Sequence, residues 1–131
     1  MTKDKRSNNV VWFELPVLDL DRATHFYESV FATKLATDER FPGIAMFPRR
    51  HETATTGALA VTHDPKLEGR PSTDGAVVYL NCDGDLDGVL KRAQAAGGKL
   101  LQEVAQLPGE MGWIAQIRDL DGNRVGLHAT F

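Results

Sequence analysis

Six side chains of this sequence have the types that small-molecule chemistry needs: Trp12, Glu14, Tyr79, Asn81, Arg124 and His128. A carboxylate among aromatic rings gains proton affinity by desolvation, so Glu14 suits a general base or a ligand acceptor. His128 suits its acid–base partner, because imidazole titrates near neutrality. Trp12 and Tyr79 offer rings for stacking, while Asn81 and Arg124 offer donors that would orient a substrate. Each has a plainer alternative. Glu14 and Arg124 could pair as ions and hold two parts of the chain together. His128 could be a half-solvated strand end, Asn81 a turn-proximal polar residue, and the two rings could simply fill space. His25 and His51 are expected at the surface. Cys82 is expected in the core.

Strand alternation would put the six on one kind of face. Around residues 10–17 the apolar set is Val11, Phe13, Leu15 and Val17, which leaves Trp12, Glu14 and Pro16. Around 76–82 it is Val78, Leu80 and Cys82, which leaves Val77, Tyr79 and Asn81. In the last strand Val125, Leu127 and Ala129 are apolar, which leaves Arg124, Gly126 and His128. In the strand near Ala58–His63, Leu59 and Val61 are apolar and Ala58, Ala60 and Thr62 remain. Aromatic residues beside small ones, with a few polar groups, describe a ligand-binding surface better than a solvated sheet face.

The elements that carry these faces repeat. Asp19-Leu20-Asp21 returns as Asp85-Leu86-Asp87, each after a β-prone run and before a helical stripe. The first helix is predicted over 20–31, capped by Asp19, with Leu20, Ala23, Tyr27, Val30 and Phe31 on one stripe. The second is predicted over 86–96 and ended by Gly97-Gly98. Three strands follow each helix: 34–38, 44–48 and 58–63, then 99–104, 113–118 and 124–130. Asp121-Gly122-Asn123 is the turn before the last. The sequence therefore predicts an α+β domain of two β-α-β-β-β modules, at about 10–63 and 76–131, joined by a linker at 64–75. Residues 1–9 are expected to be a disordered leader. The loop at 49–56 is a candidate lid hinged at Gly57.

The 131 residues suit one domain, and 42% hydrophobic with 25% charged residues is ordinary globular composition. A net charge of −3 gives no basic surface for nucleic acid. No apolar run is long enough for a membrane helix, and no signal-type segment follows the N-terminus, so a cytoplasmic location is expected. The single cysteine excludes an intrachain disulfide and a cysteine zinc cage.

Three segments carry a family resemblance: Val11 through Ala23, His25-Phe26-Tyr27-Glu28, and Asp119-Leu120-Asp121-Gly122-Asn123-Arg124-Val125-Gly126-Leu127. With Gly97-Gly98-Lys99 and the duplication, the chain resembles the vicinal oxygen chelate superfamily of glyoxalases, bleomycin resistance proteins and extradiol dioxygenases. The resemblance implies that modules curl into half-barrels around a cavity with helices outside, and that the protein forms a homodimer. It also implies a divalent metal held from the first, fourth, fifth and eighth strands. Those positions fall here on Trp12, near Ala60, on Val77 or Val78, and on Gly126, none of which can ligate through its side chain. No cofactor is therefore expected at the usual site. Glu14 and His128 would make a displaced site of only two ligands, too few for tight binding. Two functions stay open: a glyoxalase-like enzyme using Glu14 and His128, and a metal-free small-molecule binder. A cavity filled by Trp12 and Tyr79 would leave an interaction module instead.

Overall fold

The structure, a computed structural model, describes residues 8–61 and 70–131. Residues 1–7 of the expected leader and 64–69 of the expected linker, with Thr62 and His63, lie outside the described residues. The elements run β1 (Trp12–Val17), α1 (Leu20–Phe31), β2 (Ile44–Met46), β3 (Thr56–Val61), β4 (Val78–Asn81), α2 (Leu86–Ala95), β5 (Lys99–Gln106), β6 (Trp113–Arg118) and β7 (Arg124–Ala129). The fold is α+β; the second half follows the β-α-β-β-β plan, and the first follows it with one strand reduced to a bridge.

The first sheet has the order β1-β3-β2 and the second β4-β7-β6-β5. In both, the strand before the helix lies parallel to the last strand of its module. A helix connects the outer strand to the rest, as a parallel pairing requires. The expected strand at 34–38 shrinks to one bridge, Ala36 with Met46. One of its amides is used elsewhere: Leu35 N donates to the Glu28 carboxylate at 2.8 Å. The helix side chain thus takes a donor that a strand ladder would need.

Alternation is observed where it was read. Leu15, Val17 and Leu59 face inward from the first sheet, and Ala115, Ile117, Val125, Leu127 and Ala129 from the second. These join Ala23, Phe26, Tyr27 and Val30 of α1 and Leu86, Val89 and Ala93 of α2 in one buried cluster. Phe26, absent from the expected stripe, is buried with it. The two helices also touch each other. Both sheets thus turn one face to a shared core and the other away from it. The strands pair as two separate mixed sheets rather than the curled sheet around a cavity that the resemblance implies, because β1 and β4 each end their sheet without a second neighbour among the described residues.

A polar clamp joins the modules at the turn between β6 and β7. The buried Asp119 carboxylate accepts from the backbone amides of Asp121, Gly122 and Asn123, each at 2.9 Å. Tyr27 Oη of α1 donates to its other oxygen at 2.6 Å. Asn123 Nδ2 donates to Pro16 O and Asp119, Leu18 N donates to Asp121 Oδ1, and Arg22 donates to Leu120 O. Gly122, at φ 104°, supplies the left-handed conformation the turn needs.

Candidate functional site

The six candidate side chains all lie on the strand faces turned away from the core, but on two sheets. Trp12 and Glu14 belong to β1; Tyr79 and Asn81 to β4; Arg124 and His128 to β7. Trp12 Nε1 donates to Glu14 Oε2 at 3.1 Å, so indole and carboxylate act as a unit. Glu14 and Arg124 stand on different sheets, and the ion pair considered for them is absent among the described residues. Arg124 is half-buried, and its Nε has no hydrogen-bond partner among the described residues.

On the second sheet Tyr79 lies over Gly126, its partner in the β4–β7 register. A β-carbon at position 126 would lie too close to three Tyr79 ring carbons to be accommodated without a shift. Gly126 is thus a space for an aromatic side chain rather than a flexible joint. Gln116 Nε2 donates to Tyr79 Oη at 2.8 Å and fixes the phenol. Gln116 was missed in the sequence, although its alternation with buried Ala115 and Ile117 places it on this face. His128 Nε2 donates to Met111 O at 2.7 Å, which leaves Nδ1 as the nitrogen open to a ligand. Asn81 Oδ1 is occupied by Asp83 N at 2.8 Å, the local turn bond considered for it.

Gly57 does not hinge a lid. It sits inside β3, where a β-carbon would strike Phe13. His25 and His51 are exposed, as expected. Cys82 is buried, and burial pushes its thiol up to about 11, away from nucleophile chemistry. Asp121 is also shifted upward, first by burial and then by the neighbouring Asp119 charge.

The implied metal was tested against the donor chemistry of these faces. Trp12, Ala60, Val77 and Gly126 provide no side-chain donor, and Tyr79 fills the space above Gly126. No group of three or more His, Cys, Asp or Glu gathers anywhere among the described residues. The residues present do not fit a divalent ion at the expected place.

Residues 9–127 match the family model of the Glyoxalase/Bleomycin resistance protein/Dioxygenase superfamily. The chain belongs to this superfamily. No curated protein matches it at a significant level. Among solved structures, it is similar to a glyoxalase/bleomycin resistance protein from Albidiferax ferrireducens T118, with TM-score 0.73, 15% identity, and 93% and 98% of the two chains covered. A glyoxalase-related enzyme from Fulvimarina pelagi gives TM-score 0.70 at 19% identity, over 94% of this chain and 88% of that one. A glyoxalase I mutant from Zea mays gives 0.65 at 26% identity, over 91% of this chain and 46% of that one. The superfamily fold is thus present with both modules. The position that the resemblance assigns to its eighth-strand metal ligand is Gly126, beneath Tyr79.

Proposed function

We propose that this superfamily member is a cytoplasmic small-molecule protein that holds its ligand without the usual divalent-metal cage. The observation that carries this reading is the Tyr79–Gly126 contact. Where the resemblance expects a metal ligand, the chain places an aromatic wall. Trp12 and Tyr79 remain 37% and 43% exposed, too open for rings whose only role is filling space. Stacking on them, with Arg124 and Asn81 as polar contacts, suits a planar ligand with a polar edge.

The ligand cavity would close when two copies meet, as a homodimer, through the open edges of β1 and β4. The Trp12–Glu14 face of one copy would then oppose the Tyr79–His128 face of the other. Unpaired edges and exposed aromatic faces support this pairing. The glyoxalase-like enzyme is the second reading. Glu14 and His128 would act as acid and base on one substrate, and that needs the same two-copy arrangement, since one chain keeps them on separate sheets.

The test is metal content and ligand retention in protein purified without chelator. Less than a tenth of an equivalent of metal is expected, about tenfold short of an occupied site. Ligand affinity should not change on adding chelator. Stoichiometric nickel, zinc, iron or manganese would overturn the reading. Loss of turnover in Glu14→Gln with ligand affinity kept would favour the enzyme.

A further inference from the structure

A cleft of about 800 Å³ opens between the modules, bordered by β1 and the end of α1 on one side and by β4 and α2 on the other. Phe13, Phe31 and Phe47 form one wall; Val78, Leu80 and Val89 form the other. All but Val89 are packed on the core yet only partly buried, so the cleft exposes apolar surface to water. Its size falls in the usual range of ligand pockets, roughly 300–1,000 Å³.

The polar groups of the cleft are nearly all in use. Thr56 Oγ1 donates toward Phe47 O and Pro48 O, and Cys82 Sγ donates to Leu80 O. At the module-two lip, Asp83 accepts from Thr130 N and Oγ1, and Asp85 is paired with Arg92. At the module-one lip stands Arg50, exposed and without a hydrogen-bond or ion-pair partner among the described residues. The walls thus ask for an apolar body, and the uncommitted charge at the mouth asks for one anion.

We propose that this cleft is a second binding site, for an amphipathic monocarboxylate. Its apolar or aromatic body lies between the phenylalanines and Val78 and Leu80, and its carboxylate meets the Arg50 guanidinium. The cleft shares Tyr79 and Asn81 of β4 with the candidate site, but its apolar walls and Arg50 are not part of that site.

Naphthoate is the probe, with neutral naphthylmethanol as its control, titrated into the full chain by calorimetry and by amide chemical shifts. Saturable binding is expected, with shifts centred on Phe13, Phe31, Phe47, Val78 and Leu80. Arg50→Glu should weaken naphthoate by about tenfold, the loss of one charge-assisted contact, and leave naphthylmethanol unchanged. Val78→Trp, which fills the cleft, should abolish both, with its unfolding midpoint checked in parallel. Arg50 is exposed, so its variant tests the site even if Val78→Trp folds poorly. Shifts confined to Trp12, Glu14 and His128, which lie outside the cleft, would overturn the proposal. So would no binding at millimolar probe, equal effects of Arg50→Glu on both probes, or a dimer that Val78→Trp converts to monomer. That last result would show a second copy in the cleft.

Discussion

Tyr27 is the residue on which the two halves of the chain depend most directly. It is fully buried, stacks on Phe31 at 5.8 Å, and donates a hydrogen bond from its hydroxyl to Asp119 across 92 positions of sequence. Tyr27→Phe should lower unfolding free energy at neutral pH by about 1.5–3 kcal/mol, the range for a hydrogen bond to a charged group. Urea denaturation measures it. Burial, and after it the Asp119 charge, holds the Tyr27 phenol well above its ordinary 10.0. A folded pKa above the unfolded one means the folded state keeps the proton longer. The stability so gained is complete below pH 10 and is lost as pH rises from there toward the folded pKa. Wild type should therefore weaken between pH 10 and 11 more steeply than Tyr27→Phe, and equal slopes would remove Tyr27 from the alkaline limb.

Among the elements, the repeat Asp-Leu-Asp opens both helices but does different work in each. Asp19 caps α1 by accepting from Arg22 N at 3.0 Å, whereas Asp85 makes no cap bond and pairs with Arg92 instead. Arg92 also donates to Val30 O, so α2 satisfies a carbonyl near the end of α1. That helix ends on Ala32 at φ 51°, a conformation that glycine enters without steric cost. Ala32→Gly should raise stability by about 0.5–1 kcal/mol, the steric relief less the added unfolded-state entropy. A rise in thermal midpoint checks it. Both helices were legible because an apolar stripe at 3.6-residue spacing is a local signal. The face of each candidate residue was legible too, since alternation is local. The missing strand at 34–38 was not, because Glu28 takes the Leu35 amide from a turn of helix away. Nor was Gly57, whose role appears only once Phe13 lies beside it. Asp119 reads in sequence as an ordinary turn residue. Only the folded chain shows that Tyr27 and Asn123 converge on it.

For the whole molecule, one shared core and one clamp predict one cooperative transition. The chain has two tryptophans, Trp12 in the first module and Trp113 in the second. Variants keeping one tryptophan each report the modules separately by fluorescence. Their denaturation curves should coincide in the otherwise unchanged chain. In Asp119→Ala, which leaves Tyr27 and three amides without their acceptor, the curves should move to lower denaturant and separate. Coincident curves in that variant would mean that the apolar core alone couples the modules. The division of the candidate residues between sheets has the same origin. Each sheet turns an apolar face toward the shared core, so each chain presents its polar faces on separate sheets.

The Tyr79 ring above Gly126 also sets the order in which this pair of positions can be changed. A histidine or glutamate introduced at position 126 while Tyr79 stands there would meet a clash before it could serve as a ligand. Tyr79 would have to shrink first, and Gln116 would then lose the hydroxyl to which it donates. A ligand side chain at position 126 therefore needs at least two substitutions, one of which gives up the Gln116–Tyr79 bond.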